Sequence, residues 1–227
     1  MRSPHVLLAA GAALALTLAA CGDNASNSAA AGATTTVTAS GGPVTTCAKA
    51  DGSSAKTQQF TAAPPMCLQA GKKYTATVVT NHGTVHIALR DDIAPNTVNS
   101  FVNLARFHYF DGTTCHRAIK NFVVQCGDPT ATGTGGPGYE FDDELTKIEP
   151  YQIGSLAMAN SGANTNGSQF FIITGSDGAA LPPKYTLFGQ VAAADLKVVG
   201  ALDALGNPTD GPPLQPIDIK SITITES

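Results

Sequence analysis

Residues 154–174, GSLAMANSGANTNGSQFFIIT, contain two short apolar runs separated by a loop rich in Asn, Gly, Ser and Thr. The runs SLAMAN (155–160) and QFFIIT (169–174) have the length and composition of strands, and the residues between them are typical of turns. Side chains alternate along a strand, so Phe170 and Phe171 must lie on opposite faces of a sheet. At most one of these two aromatic side chains can therefore line a surface pocket.

The rest of the chain from residue 74 onward follows the same pattern of short strands and turns. The other predicted strands are YTATVVT (74–80), TVHIALR (84–90), TTCHRAI (113–119), FVVQC (122–126), YTLFGQV (185–191) and IDIKSITIT (217–225). Only two segments have helical spacing: 95–107, with Val98, Phe101, Val102 and Ala105 on one face, and 192–205, with Leu196, Val199 and Leu202 on one face. We therefore predict a mainly β domain of antiparallel strands, closed into a barrel that hides the strand edges.

The loop GTGGPG (133–138) has the G-x-G-x-x-G spacing of a dinucleotide-binding motif. Such a motif opens a helix within a repeated βαβ unit, whereas here Pro137 and the acidic stretch YEFDDE follow the glycines. Acidic groups beside the loop would also repel a phosphate. We therefore interpret the spacing as a coincidence.

The first 20 residues have the pattern of an export signal. Arg2 precedes an apolar run from Val6 to Leu18, and small residues follow up to Cys21. The last four residues of this stretch resemble the bacterial lipobox, which implies cleavage before Cys21, lipidation of its thiol and attachment to the extracytoplasmic side of the cell membrane. The alternative is an ordinary signal peptide whose cleavage site precedes a cysteine by coincidence.

Residues 22–46 are mostly Ala and small polar residues, with no apolar period. Such a segment cannot bury enough apolar surface to offset its ordering entropy, so we predict a flexible tether. The predicted organisation is a signal peptide (1–20), a lipidated Cys21 with the tether and a cysteine-containing extension (21–73), and a folded domain (74–227).

Four cysteines remain when Cys21 is set aside, and an even number in an exported protein suggests two disulfide bonds. Chain order favours Cys47–Cys67 and Cys115–Cys126 over the other connectivities. Cys115 and Cys126 could instead be buried thiols, because a bridge requires both side chains to project from the same face.

Composition and motifs exclude several classes of function. The formal net charge is −4 and only 13% of residues are charged, without the cluster of Lys and Arg that nucleic-acid binding needs. No G-x-S-x-G nucleophile motif occurs, and His82 and His86 lack a third ligand at metal spacing. The acidic run 142–144 is interpreted as a solvated strand end.

One arginine, Arg117, stands in an apolar strand, and a second apolar strand carrying Gln125 follows it. At this point the chain resembles the cyclophilin family of peptidyl-prolyl cis–trans isomerases, from about Tyr74 to Ser227. The resemblance is carried by FHYFDGTTCHRAIKNFVVQCGD (107–128), GTGGPGYEFDDE (133–144), GSLAMANSGANTNGSQFFIIT (154–174) and YTLFGQV (185–191). It implies an eight-stranded antiparallel barrel capped by two helices.

The chemistry of such an enzyme suits a chain without an obvious nucleophile. Rotation about an X–Pro bond crosses a barrier of roughly 18–20 kcal/mol because amide resonance is lost, but no covalent bond is broken. A pocket for the proline ring and a hydrogen bond to the prolyl nitrogen stabilise the twisted state more than the ground state. We therefore expect no metal and no cofactor.

The resemblance implies roles for individual residues. Arg117 would be the catalytic donor, Gln125 would orient it together with the substrate carbonyl, and Phe122 would complete the catalytic set. The implied substrate-binding residues are Val123, Gly133, Ala159, Asn160, Ser161, Gln169, Phe171, Leu181 and Tyr185. Taken alone, Arg117 could instead be a structural ion-pair partner.

The chain also departs from the family pattern. It contains no Trp, and Ala180 stands near the place where cyclosporin-sensitive members carry one, so we expect weak cyclosporin binding. Tyr185 occupies a position where the best-known eukaryotic members have His. The expected partners are proline-containing exported polypeptides, not nucleic acid, and we expect a monomer. The alternative function is a module or chaperone that binds proline segments without turnover.

Overall fold

The computed structural model describes residues 45–227, and its dominant element is one sheet of nine strands, all paired antiparallel. The strands are β1 (Tyr74–Thr80), β2 (Gly83–Leu89), β3 (Thr113–Thr114), β4 (Arg117–Ile119), β5 (Val123–Cys126), β6 (Ser155–Met158), β7 (Phe170–Ile173), β8 (Leu187–Val191) and β9 (Asp218–Glu226). The helices are α1 (Pro95–Arg106), α2 (Ser176–Ala179) and α3 (Leu196–Asp203), with a 3-10 turn over Ala193–Asp195.

The strands lie in the order β3-β9-β1-β2-β8-β6-β7-β5-β4. The two end strands, β3 and β4, are neighbours in the chain, separated by Cys115 and His116. The sheet therefore curls so that its first and last strands are joined by two residues of chain. Within residues 45–227, however, β3 and β4 are not paired by hydrogen bonds as neighbouring strands. The predicted closed barrel of eight strands is wrong on this point: the sheet is an open half-barrel of nine strands. The short α2 also adds a helix to the two that we predicted.

The additional strand comes from TTCHRAI, which we predicted as a single strand. Thr113–Thr114 pairs with β9, whereas Arg117–Ile119 pairs with β5. Between them, the N–H of Cys115 still donates to the carbonyl of Ile217 on the β9 side (2.8 Å). A disulfide bond from Cys115 to Cys126 connects this change of partner to the end of β5.

The main core lies between α1 and the inner face of the sheet. Phe101 of α1 packs against the rings of Phe110, Phe170 and Phe188, with centroid distances of 5.2, 5.6 and 5.3 Å. Tilted and edge-on contacts of this kind are favourable for aromatic pairs. The predicted apolar face of α1 is therefore a core face, and Phe170 is the inward-facing member of the pair Phe170–Phe171.

Only part of the predicted apolar face of helix α3 is buried. Val199 and Leu202 are buried, but Leu196, at the first position of the helix, is 36% exposed. Among residues 45–227, none of the helices has the length and apolar character that crossing a membrane requires. The predicted signal peptide, Cys21 and nearly all of the predicted tether lie outside the described residues.

The cysteine-containing extension packs against α1. Its two cysteines, Cys47 and Cys67, form a disulfide bond. Asn103 Oδ1 accepts the N–H of Ala48 and Asn99 Oδ1 accepts the N–H of Cys67, both at 2.7 Å. The two Asn side chains are buried and lie four residues apart, on the same face of the helix. Helix α1 thus holds both ends of the bridged segment.

The acidic run 142–144 is not a solvated strand end, as we had interpreted it. The Glu144 carboxylate accepts hydrogen bonds from the backbone and side chains of Asn96 and Thr97, at 2.8 to 3.0 Å. Helix α1 has no side-chain cap of its own at Ala94. Glu144 therefore satisfies the free N–H groups of the first helical turn and places a negative charge at the positive end of the helix dipole.

Replacing this carboxylate should destabilise the fold. We expect Glu144→Ala to lower the free energy of unfolding by about 1–2 kcal/mol, the range found for lost helix caps. The measurement is urea unfolding followed by far-UV circular dichroism. Asp142→Ala is the matched control, because Asp142 is exposed and surface substitutions usually stay within about 0.5 kcal/mol. Equal midpoints for the two variants would contradict the capping role.

Candidate active site

A row of side chains crosses three strands on the outer face of the sheet. Arg117 of β4 lies opposite Gln125 of β5, and Gln125 lies opposite Phe171 of β7. Residues directly opposite one another in antiparallel strands project from the same face. The strand register thus brings together three side chains that are widely separated in sequence.

The Arg117 guanidinium is held from two sides. Its Nη1 donates to Gln125 Oε1 (3.2 Å), while Nε and Nη2 donate to the two carboxylate oxygens of Asp210 at 2.7 and 3.1 Å. The guanidinium carbon also lies 5.8 Å from the ring centre of Phe122. Paired donors in this fork geometry fix the plane of an arginine side chain more firmly than a single bond would.

Sequence reasoning missed Asp210. It lies in the loop between α3 and β9, 93 residues from Arg117, and nothing in NPTDGPP distinguishes it from an ordinary turn aspartate. Its side chain is 70% exposed, and the hydrogen bonds from Arg117 lower the pKa of its carboxyl. Arg117 therefore forms an ion pair, and its partner is a surface carboxylate. Its Nη1 donates instead to Gln125, which begins a network of side-chain amides.

A chain of amides continues from Gln125. Its Nε2 donates to Gln169 Oε1 (2.9 Å), and Gln169 Nε2 donates to the backbone carbonyls of Gly133 and Gly135, both at 3.0 Å. Each amide uses its oxygen toward Arg117 and its nitrogen away from it, so the network has one direction. The glycine-rich loop thus fixes Gln169, which fixes Gln125 and, through it, the Arg117 side chain.

The glycine-rich loop itself closes around a carboxylate of the protein. Asp128 Oδ2 accepts the N–H groups of Thr132, Gly133 and Gly135 at 3.0, 2.7 and 3.0 Å, and Oδ1 accepts the N–H of Thr130 at 2.7 Å. Burial would raise the pKa of Asp128, but the hydrogen bonds from Thr130, Gly135 and Gly133 outweigh it and hold that pKa well below its usual range.

The loop is thus an anion-binding nest of backbone N–H groups, and its anion is internal. Gly133 has φ +86°, a conformation that favours glycine, and a Cβ built on Gly135 would come within 2.0 Å of Asp128 Oδ1. Asp128 precedes Pro and Thr, a sequence that signals a turn closed by an Asp side chain. That signal could have identified its role, and we did not use it.

An apolar pocket adjoins Arg117 on the outer face of the sheet, separate from the main core. Val123 and Phe171 form its floor, with exposures of 2% and 5%. Phe171 meets the Tyr185 ring edge-on, with centroids 5.4 Å apart. The partly exposed side chains around this floor are Phe122, Ala159, Leu181 and Tyr185.

Tyr185 is held in place by a residue that sequence reasoning missed. The Tyr151 hydroxyl donates to the carbonyl of Tyr185 (2.6 Å) and accepts the N–H of the same residue (2.9 Å). Burial raises the pKa of Tyr151 to about 12, so the hydroxyl stays protonated and can make both bonds. No feature of the sequence around Tyr151 distinguishes it from other loop residues.

Asn160 and Ser161 lie beside the pocket, at the end of β6. Asn160 Nδ2 donates to Asp143 Oδ1 (3.2 Å), and the same oxygen accepts from the buried Asn166 side chain (2.9 Å). Asp143 Oδ2 accepts the N–H of Asn164 at 2.9 Å. Asp143 therefore organises the Asn-rich loop, and it too is misread as part of a solvated strand end.

A polar groove of about 880 Å³ extends from Gln125 and Asn160 along the glycine-rich loop. Five predicted substrate-binding residues lie on it, namely Gly133, Ala159, Asn160, Ser161 and Gln169. The groove is completed by Gln59, Thr134–Glu140, Thr165, Gly167 and Ser168. The predicted site residues thus fall into two adjoining sets, one around the apolar pocket and one along the polar groove.

His116 adds no positive charge to this site. Burial lowers the pKa of His116, so its ring is neutral at neutral pH. It packs beneath Gly133, where an added Cβ would lie 3.5 Å from the ring. The cation of the site is the guanidinium of Arg117.

Several known proteins are similar to the folded part of this chain. The family model described as cyclophilin type peptidyl-prolyl cis-trans isomerase/CLD matches residues 75–224. Peptidyl-prolyl cis-trans isomerase A of Mycobacterium tuberculosis is 42% identical over 171 residues, covering 66% of this chain and 92% of the relative. Peptidyl-prolyl cis-trans isomerase B of Streptomyces anulatus is 43% identical over 170 residues, covering 66% and 95%.

The match to a longer relative is partial. The probable peptidyl-prolyl cis-trans isomerase B of Mycobacterium tuberculosis is 40% identical over 168 residues, which cover 66% of this chain and 54% of that protein. This chain therefore spans about half the length of such relatives. The extension that holds Gln59 lies before the first residue of the family match.

Solved structures extend the likeness to the fold. A crystal structure of a Cryptosporidium parvum cyclophilin type peptidyl-prolyl cis-trans isomerase shares 32% identity, with a TM-score of 0.62, covering 68% of this chain and 99% of that one. A second structure of it, described as in the presence of the dipeptide Ala-Pro, has a TM-score of 0.61 at 33% identity, covering 67% and 99%. With the family model spanning residues 75–224, these likenesses confirm the resemblance seen in the sequence: the chain belongs to the cyclophilin-type peptidyl-prolyl cis-trans isomerase family.

Proposed function

We propose that this protein accelerates cis–trans rotation about X–Pro bonds, using Arg117 as the donor to the prolyl nitrogen. One observation carries the proposal: a guanidinium fixed by Asp210 and Gln125 lies beside the apolar side chains that surround Phe171. The relative whose structure was solved with Ala-Pro supports proline-containing peptides as substrates.

The mechanism follows from the electronic change at the proline nitrogen. In the planar amide its lone pair is delocalised, and in the twisted state the lone pair returns to a pyramidal nitrogen. A donor aimed at this nitrogen interacts with the twisted state and hardly at all with the planar one. The hydrogen bond therefore lowers the barrier rather than only tightening binding.

Arg117 retains the donors that this step needs. A guanidinium has five N–H groups; Nε, one on Nη1 and one on Nη2 are used by Gln125 and Asp210, which leaves one on each Nη nitrogen. The proline ring would rest on Phe171, with Phe122, Leu181 and Tyr185 around it. Asn160 would hold the backbone of the residue before proline.

We also propose that the substrates are exported polypeptides and that the protein acts at the extracytoplasmic face of a membrane, anchored through Cys21. The support is the apolar run and lipobox-like sequence before Cys21. The two disulfide bonds of the folded part agree with an oxidising compartment.

Removing the donor should abolish most of the catalysis. We expect Arg117→Ala to lower kcat/KM for a short Ala-Pro peptide by about 100-fold or more, the loss typical of one deleted transition-state donor. Two-dimensional exchange NMR on the peptide measures the rate directly. Lys120→Ala is the matched control, since it removes an exposed cation three residues away and should leave the rate unchanged.

The same experiment separates catalysis from binding. Equal rates for the wild type and Arg117→Ala would remove Arg117 from the mechanism. Tight peptide binding with no acceleration by the wild type would instead favour the alternative of a binding module without turnover.

Asp210 is expected to act through Arg117 as a positioning residue. An exposed ion pair contributes about 0.2–1 kcal/mol, so Asp210→Asn should lower kcat about two- to fivefold while KM changes little. The measurement is the peptide exchange rate as a function of peptide concentration. The Asp210→Asn change should have no effect in an Arg117→Ala background, and a further loss there would show that Asp210 acts independently of Arg117.

The anchor can be tested on the full chain produced in a bacterium that processes lipoproteins. We expect mass spectrometry to find a mature N-terminus at Cys21 carrying acyl chains, and the protein to sediment with membranes. Cys21→Ser should abolish the acylation, because a serine at this position has no thiol to carry the acyl chain. An unmodified Cys21 at the mature N-terminus would contradict the anchor.

A further inference from the structure

The extension forms one wall of the polar groove. Gln59 lies on the groove beside Gly136–Gly138, although residue 59 precedes the family match over 75–224. This wall is therefore a feature of this chain that the matched family region does not supply. Because this wall lies next to the candidate active site, its side chains can contact the substrate and affect which substrates are preferred.

The wall is anchored by Phe60, which is 5% exposed. Its ring packs against Phe107 and Tyr139, with centroid distances of 5.3 and 6.3 Å. Its N–H donates to the carbonyl of Pro137 at 2.8 Å. A Cβ on Gly138 would come within 2.3 Å of the Phe60 carbonyl, so the two segments are in backbone contact. Such a buried anchor fixes the neighbouring Gln59 against the loop.

The amide oxygen of Gln59 accepts no hydrogen bond from the described residues. Its Nε2 donates to the carbonyl of Gly136 (3.1 Å), which commits the nitrogen to the loop. The Oε1 atom lies 3.3 Å from the position that a Cβ on Gly138 would take, so the amide lies against the glycine-rich loop. One N–H of this amide is used by the loop, and its oxygen can accept a hydrogen bond from an incoming cationic side chain.

The charge of the groove is also one-sided. Glu140 is exposed and lies two residues beyond Gly138 on the same wall. Among the described residues that line the groove there is no Lys, Arg or His. The carboxylate of Glu140 and the Oε1 of Gln59 therefore suit a cationic side chain, and they disfavour an anionic one.

The groove lies on the N-terminal side of the proposed substrate. It begins at Asn160, which would hold the residue before proline, and continues along the glycine-rich loop toward Gln59. We propose that Gln59 and Glu140 form a specificity subsite for a Lys or Arg side chain on the substrate, at one of the two positions before the residue X of the X–Pro bond. This inference rests on the proposed isomerase function.

Peptides that differ at one position test the subsite. Each carries Lys, Ala or Glu at one of the two positions before X, and exchange NMR gives kcat/KM. For the wild-type protein at low salt we expect Lys to exceed Ala, and Ala to exceed Glu, by about two- to fivefold per step, the scale of an exposed ion pair. The differences should shrink as NaCl screens the charges.

Substitutions then assign the preference to the two residues. Glu140→Gln should remove it and Glu140→Lys should reverse it, as measured by the ratio of kcat/KM for the Lys and Glu peptides. Asp142→Asn is the matched control, because it removes a neighbouring exposed carboxylate that does not line the groove. Gln59→Ala should weaken the preference for Lys, with an unchanged melting temperature showing that the fold is intact.

The outcomes distinguish this inference from the proposed function. Equal rates for the Lys, Ala and Glu peptides, all accelerated by the wild type, would overturn the subsite and leave the isomerase function standing. An equal effect of Asp142→Asn and Glu140→Gln would also overturn it, since the preference would then come from net charge. Failure to accelerate any peptide would instead count against the proposed function.

Discussion

The register that sets Arg117 opposite Gln125 is the constraint on which the site depends. A slip of one residue in β4 would turn Arg117 toward the main core and bring Ala118, which is fully buried, to the outer face. The disulfide bond between Cys115 and Cys126 joins the chain two residues before β4 to the last residue of β5, next to this pair. It opposes such a slip and places a covalent link at the point where the chain changes from β3 to β4.

From that pair the structure extends in two directions. Toward the surface, Asp210 fixes the guanidinium plane. Toward the loop, Gln169 donates hydrogen bonds to the carbonyls of Gly133 and Gly135. The Asp128 carboxylate accepts the N–H groups of the same two glycines. The glycine spacing that resembles a phosphate-binding motif is thus used to enclose a carboxylate of the protein, so that the loop can serve as a rigid edge for a peptide groove.

Local patterns were sufficient to predict the strands, α1 and the family, because each depends on periodicity or on a long motif. The partner change within TTCHRAI could not be predicted, since strand pairing is a long-range property and no turn residue marks the point where the partner changes. Asp210 and Tyr151 were missed for the same reason: their roles come from contacts with distant residues, and their neighbouring sequence is ordinary. The acidic run 142–144 was misread because a charged run usually marks a solvated face, whereas here Asp143 and Glu144 supply acceptors to an Asn-rich loop and to a helix N-terminus. The role of the extension could not be predicted for the same reason, because Phe60 and Gln59 contact a loop almost eighty residues away.

A double-mutant cycle on Arg117 and Gln125 tests the central claim most directly. The exchange rate of a saturating Ala-Pro peptide is measured for the wild type, Arg117→Ala, Gln125→Ala and the double variant. If Gln125 acts by orienting Arg117, its removal should lower the rate only while Arg117 is present, so the two effects should be strongly non-additive. Additive losses would contradict the account, because they would mean that the two residues contribute to catalysis independently.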